Sequence, residues 1–99
     1  MTKYQYQELS STICDGFDGN HAAIINYALH RVGDTAAAID AGERDYTLID
    51  MSFSYLTDKD FAICMIFDVY YFETDSTIRI KYMLEAVNDE CIKDEGVRI

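Results

Sequence analysis

The order of apolar and polar positions divides the chain into a helical part and a strand part. Over residues 1–42 the apolar side chains recur every three or four positions, which is typical of amphipathic helices. From Tyr46 onward they alternate with polar side chains, which is typical of half-buried strands. The pattern predicts one α+β domain over 1–99, with a β-meander over 46–88 and a tail or short helix over 89–99.

The helical part is expected to contain two to three helices. Thr2 can cap the first, and the glycine- and Asx-rich segment 15–20 is expected to interrupt it. Gly33 is expected to end the second helix, because glycine often follows the last helical residue. A short third helix over 36–41 would follow. The apolar stripe of the second helix consists of Ile24, Ile25, Ala28, Leu29 and Val32.

Three strands are predicted in the second half of the chain. The first begins near Tyr46, and the second covers 61–72, where both faces are apolar for much of its length. The third is centred on Ile80 and alternates apolar with basic residues. The pattern over 83–94 fits either a continued strand or a C-terminal helix. We therefore expect a three-stranded antiparallel meander with the helices packed on one face.

The register of the second hairpin can be argued from cross-strand pairs. A two-residue turn at 74–75 would place Tyr71 opposite Ile78 and Asp68 opposite Lys81. One face of the hairpin then becomes wholly apolar, and opposite charges face each other on the other side. A slip by one residue would destroy both patterns, so this register is favoured.

The two faces of the predicted meander differ in character. A five-residue loop or a bulge is needed in the first hairpin to keep Met51 and Phe53 on the apolar face. The opposite face is mixed, and it stays open unless residues 83–99 fold over it. Its expected members are Leu48, Asp50, Ser52, Cys64, Ile66, Asp68, Tyr70, Phe72, Arg79, Lys81 and Met83.

Charge narrows the range of partners. The 99 residues contain 18 Asp and Glu against 8 Lys and Arg, and the formal net charge is −10. Such a surface repels nucleic acid and attracts basic proteins. Because the acids are spread over both halves of the chain, the acidic surface belongs to the folded body.

No catalytic or metal-binding motif accompanies this charge. Cys14, Cys64 and Cys91 are widely spaced and are expected to be buried thiols. His21 and His30 do not have the spacing of a metal site. We therefore expect a non-enzymatic protein with no catalytic, metal or cofactor-binding residues and no cofactor.

The sequence also bears on the compartment. It has no run of about 18 apolar residues, and its first residues are not a secretory signal. We expect a cytoplasmic protein, in a host cytoplasm if it is encoded by a phage.

Acidic and aromatic residues near the ends of the meander are the candidate partner-binding group. About 12 residues of central strand would separate the two ends by roughly 40 Å. Carboxylates over that span can imitate a nucleic-acid backbone before a basic groove. The alternative is an ordinary solvated surface that keeps the chain soluble. The candidates are Glu43, Asp45, Asp58, Asp60, Asp68, Tyr70, Phe72, Glu73 and Asp75.

The overall profile resembles two groups of small acidic proteins, although no motif carries the resemblance. It is similar to phage or plasmid anti-defence proteins, including anti-CRISPR proteins and DNA mimics. This implies an inhibitor of a basic, nucleic-acid-binding protein. It is also similar to immunity proteins that neutralise a nuclease toxin, which is the second alternative. A small enzyme or ligand-binding domain with a site near Cys14 and His21 stays a third alternative. Homodimerisation through an open strand edge is compatible with the first two.

Overall fold

A computed structural model describes residues 19–57 and 59–99 of the chain. Within these residues one helix packs on a four-stranded antiparallel sheet of order β1-β2-β3-β4, so the α+β prediction is confirmed. The expected three strands are four, and the expected first helix lies outside the described residues. The elements are α1 Gly19–Ile39, β1 Arg44–Leu56, β2 Phe61–Tyr71, β3 Ser76–Val87 and β4 Glu90–Arg98.

The second and third expected helices are one continuous helix, α1. The predicted break at Gly33 is wrong, because the apolar stripe continues in phase from Val32 to the buried Ala36. Glycine inside a helix costs only about 1 kcal/mol relative to alanine, which this buried contact offsets. Asp34 and Thr35 lie inside α1, where the Thr35 hydroxyl donates to the Arg31 carbonyl oxygen at 3.0 Å.

Residues 83–99 extend the sheet. Of the two alternatives for 83–94, the continued strand is confirmed, since β3 runs to Val87. The prediction of a tail or short helix over 89–99 is wrong, because these residues form β4, which pairs with β3 and does not cover the opposite face. Asn88 and Asp89 form the connecting two-residue turn with φ values of 52° and 65°. Positive φ at both central positions matches the twist of antiparallel strands, and Asn and Asp tolerate it well.

The register between β2 and β3 is shifted by two residues from the predicted one. Tyr71 pairs with Ser76, so the turn has four residues, and Asp68 lies opposite Arg79 instead of Lys81. Because the shift is even, every side chain keeps its predicted face. Asp68 therefore still lies opposite a basic residue, but that residue is Arg79.

Two irregularities in β1 set its faces. Register shifts lie between Leu48 and Asp50 and between Phe53 and Tyr55. The first shift moves Leu48 to the helix face, contrary to prediction, and leaves Ile49 exposed. It also keeps Met51 and Phe53 on that face, which is what the predicted bulge was required to do.

The core lies between α1 and the sheet. The stripe of α1 meets inward-facing side chains of β2 and β3, with Phe67 and Tyr82 the largest fully buried ones. Removal of this apolar surface from water supplies the main stabilisation. The core members on the sheet are Ile63, Met65, Phe67, Val69, Tyr71, Ile78, Ile80, Tyr82 and Leu84.

Candidate partner-binding surface

The sheet face opposite α1, called here the open face, is not covered by any element of the described residues. Its centre is made of partly buried apolar side chains, and charged side chains surround them. An apolar centre with a polar rim is the usual composition of a protein-binding surface. The central side chains are Cys64, Ile66, Met83 and Val97, and the rim includes Asp45, Asp50, Asp68, Arg79, Lys81, Glu85, Lys93 and Glu95.

Carboxylates converge at the end of the sheet where α1 ends, β1 begins and β2 turns into β3. The Phe72 amide donates to the Glu43 carbonyl oxygen at 3.1 Å, which joins the start of β1 to the β2–β3 turn. Asp45 pairs with Tyr70 across the strands. This group, called here the acidic pole, consists of Asp40, Glu43, Asp45, Glu73 and Asp75.

Arg44 is the one basic residue in segments 40–46 and 71–77, and it does not neutralise the acidic pole. Its side chain is buried and its Nη1 donates to the carbonyl oxygens of Asp40 and Gly42, at 3.2 and 2.8 Å. Its Nε donates to the Tyr46 hydroxyl at 2.6 Å. The guanidinium therefore satisfies backbone carbonyls just beyond the end of α1, while the carboxylates of the pole remain at the surface.

Two aromatic side chains lie beside the acidic pole. The rings of Tyr70 and Phe72 meet edge to face with centroids 5.2 Å apart, and Phe72 is 47% exposed. The Tyr70 hydroxyl donates to the Asp75 carboxylate at 2.7 Å. That hydrogen bond raises the pKa of Tyr70 and fixes the ring over the turn. Exposed aromatic rings held in place are common anchors of protein interfaces.

Asp68 differs from the other acidic candidates because its charge is compensated. It accepts two hydrogen bonds from Arg79, from Nε at 2.8 Å and from Nη2 at 3.1 Å. The guanidinium holds the pKa of this carboxyl below its usual range. Asp68 therefore contributes a paired charge to the open face.

Asp60 lies at the opposite end of the sheet from the acidic pole, as predicted. Its Oδ1 accepts from the Asn88 amide at 2.8 Å, and the neighbouring Lys59 carbonyl oxygen accepts from the Asp89 amide at 3.0 Å. These bonds tie the β1–β2 loop to the β3–β4 turn. Asp58, the remaining acidic candidate, lies outside the described residues.

The structure thus brings six of the nine candidates to one end. Glu43, Asp45, Glu73 and Asp75 belong to the acidic pole, and Tyr70 and Phe72 adjoin it. Sequence reasoning missed Asp40, whose carboxylate accepts from the Gly42 amide at 2.8 Å. The available signal was its position two residues before Gly42, which directly follows the expected third helix.

The described residues give no support to a metal site or to a site at the cysteines and histidines. No group of three or more Cys, His, Asp or Glu residues there could hold a metal ion. Cys64 is partly buried, but Cys91 is exposed, so the expectation of three buried thiols is wrong for Cys91. His21 lies in the first turn of α1, and Cys14 lies outside the described residues, so a site joining the two stays a prediction.

Comparisons with known proteins identify no relative, so the binding surface is interpreted from its own residues. No helix among residues 19–57 and 59–99 is long and apolar enough to cross a membrane. No protein-family model matches the chain, and no curated protein and no solved structure matches it either.

Proposed function

We propose that this chain is a small, acidic, non-enzymatic inhibitor that binds a basic, nucleic-acid-binding protein partner. The observation that carries the proposal is the acidic pole, which has five carboxylates against one arginine, Arg44, whose buried guanidinium donates to backbone carbonyl oxygens. A partner with a basic groove would meet uncompensated negative charge there. The partner class is the one expected for an anti-defence protein of the anti-CRISPR or DNA-mimic type.

Electrostatic attraction would act mainly on the rate of association. Charges of one sign concentrated at one end of a small domain steer a partner of opposite sign and orient it before contact. The effect falls with ionic strength, because the Debye length is about 10 Å at 0.1 M salt and about 3 Å at 1 M. Binding through the acidic pole should therefore weaken with added salt.

The aromatic pair and the open face would supply the short-range part of the binding. Phe72 is exposed and Tyr70 is held by Asp75, so both rings are presented with little freedom left to lose. The apolar centre of the open face adjoins them. Burial of such side chains raises affinity mainly by slowing dissociation.

The experiment is a pull-down from host lysate with three matched baits. The wild-type chain is compared with an acidic-pole variant and a control variant, and each variant replaces four carboxylates by their amides. The acidic-pole variant is Glu43→Gln, Asp45→Asn, Glu73→Gln and Asp75→Asn. The control variant, with the same change in net charge, is Asp34→Asn, Asp60→Asn, Asp89→Asn and Glu90→Gln, none of which is among the residues named above for the acidic pole or the open face.

We expect the wild type and the control variant to retain a basic nucleic-acid-binding protein that the acidic-pole variant does not retain. A wash at about 0.5 M salt should release it. The purified partner should then lose nucleic-acid binding when the wild-type chain is added. Equal recovery by all three baits, or no salt-sensitive partner, would contradict the proposal.

The immunity-protein alternative differs only in the identity of the partner. A captured nuclease toxin, with its active site blocked by the chain, would favour that alternative.

A further inference from the structure

The outer edge of β4 is open along the described part of the chain. The strand order places β4 at the end of the sheet, and no strand of residues 19–57 and 59–99 pairs with its outer side. The other edge strand, β1, has two register shifts that interrupt its ladder. In β4 the one shift lies between Cys91 and Lys93, so the ladder from Lys93 to Arg98 is regular. A regular open edge can accept another strand, and bulges are a common protection against it.

The hydrogen bonds to β3 reveal which backbone groups of β4 point outward. The Ile99 amide donates to the Arg79 carbonyl oxygen at 2.9 Å. Antiparallel partners alternate between hydrogen-bonded and non-hydrogen-bonded pairs, so odd-numbered residues of this segment bond to β3. The amide and carbonyl groups of the even-numbered residues therefore face outward. These residues are Asp94, Gly96 and Arg98.

A groove runs beside this edge, on the helix side of the sheet. Its volume is about 530 Å³. The outward-bonding residues of β4 are also the ones whose side chains face α1, so an added strand would lay alternate side chains into the groove. Its lining includes Arg31, Thr35 and Ile39 of α1 and Asp94, Gly96 and Arg98 of β4.

We propose that β4 pairs antiparallel with β4 of a second copy of this chain, centred on Gly96. In this register Asp94 lies opposite Arg98 of the second copy, and the symmetry repeats the pair. Glu95 lies opposite the second copy's Val97. Centring on Asp94 or on Glu95 would place an acid opposite itself, so the Gly96 register alone pairs opposite charges without opposing like ones.

Two features of the fold make this pairing compatible with a net charge of −10 on each copy. Gly96 has no side chain at the symmetry axis, where this position of one copy lies opposite the same position of the other. The acidic pole involves β1 and the β2–β3 turn, so β4 pairing leaves it unoccupied. The inference is therefore independent of the proposed function.

Concentration-dependent sedimentation of the full chain tests the dimer. We expect a monomer–dimer equilibrium whose dissociation constant rises about tenfold in Arg98→Glu, because two attractive pairs become repulsive. Lys59→Glu makes the same change in charge in the loop at the other end of the sheet and should leave the equilibrium within about twofold.

Site-specific disulfides test the register. Position 95 of one copy faces position 97 of the other in a non-hydrogen-bonded pair, whose short Cα separation suits a disulfide. We expect a mixture of Glu95→Cys and Val97→Cys chains to form a 95–97 cross-link, which mass spectrometry of the peptides identifies despite the native cysteines. Neither variant alone should form a 95–95 or 97–97 cross-link. Circular dichroism verifies that each variant is folded.

Four results would overturn the inference. The first is a chain that stays monomeric at about 1 mM, a concentration at which only very weak association escapes detection. The second is a dimer indifferent to Arg98→Glu. The third is a 95–95 or 97–97 cross-link, which would establish another register. Capture of an extended segment of a different protein by a monomeric chain would assign the edge to another occupant and likewise overturn it.

Discussion

At the scale of single residues, Asp94 connects α1 to the sheet. Its carboxylate accepts hydrogen bonds from the Tyr82 hydroxyl at 2.8 Å, from Arg31 Nε at 3.1 Å and from the Tyr27 hydroxyl. Partial burial would raise the pKa of Asp94, but these donors outweigh it and hold the pKa below its usual value. Burial, together with the bond to Asp94, raises the pKa of Tyr82.

The lowered pKa of Asp94 predicts acid-sensitive stability. A depressed folded-state pKa contributes stability that is complete above the unfolded-state value of about 3.9. That contribution is lost as the pH falls through the lowered pKa. In Asp94→Asn we expect about 2 kcal/mol less stability at pH 7 and a shallower fall in unfolding free energy below about pH 4. Urea denaturation between pH 2 and 7 measures both, and parallel pH curves would contradict the assignment.

Two substitutions of Asp75 should differ in their effect on the unfolding free energy. Its φ is 48°, and its carboxylate accepts the Tyr70 hydroxyl. Asparagine tolerates this backbone conformation and keeps an acceptor, whereas alanine does neither. We expect Asp75→Ala to lower the unfolding free energy by about 1 kcal/mol and Asp75→Asn to change it by less than about half as much. Equal losses in denaturant unfolding would show that the turn does not depend on this residue.

At the scale of elements, α1 and β4 approach each other closely at one point. A Cβ added at Gly96 would lie 2.2 Å from the Thr35 hydroxyl oxygen and 2.9 Å from its methyl carbon. Glycine is therefore required there by helix–strand packing, since no side chain fits without a shift.

This contact predicts a rescue experiment. Gly96→Ala should lower the unfolding free energy by roughly 2 kcal/mol through overpacking. Thr35→Ala removes the two nearest atoms and should recover about half of that loss in the double variant, a positive coupling of neighbouring sites. Thermal unfolding at low protein concentration measures all four chains. Additive losses would mean that the two residues do not meet.

At the scale of the whole molecule, the acidic pole groups five like charges at one end of the sheet. Like charges held together destabilise the folded state and are screened by salt. We therefore expect the wild type to gain thermal stability between about 0.05 and 0.5 M NaCl. The acidic-pole variant should be more stable than the wild type at the lower salt and should gain less from added salt.

The control variant distinguishes the effect of charges grouped at the acidic pole from the effect of the total net charge on stability. It removes the same number of carboxylates, three of them from positions near basic residues. Asp34 pairs with Arg31 at 3.0 Å. Asp60 and Asp89 lie beside Lys59. Its salt response should resemble that of the wild type more than that of the acidic-pole variant. Identical curves for both variants would mean that the total charge alone matters.

The sequence by itself determined which residues face the core. The α1 stripe and the alternation in β2 and β3 follow from periods of 3.6 and 2.0, which are local properties of the backbone. The face of Asp68 and Tyr70 was predictable for the same reason, even with the register off by two. The grouping of Glu73 and Asp75 with Glu43 and Asp45 followed from the meander order. The partner that this surface binds stays a prediction.

Only the tertiary structure decided how those elements join. The continuation of α1 through Gly33 depends on packing of Ala36 against the sheet, which no local propensity encodes. The four-residue turn, the bulge at Ile49 and the strand β4 depend on how neighbouring strands pair and on which side chains the pairing brings to the core. The inward turn of Arg44 toward the end of α1, which leaves the acidic pole uncompensated, is likewise visible only when helix and strand are placed together. Long-range contacts decide these features because several local conformations have nearly equal free energy until the segments meet.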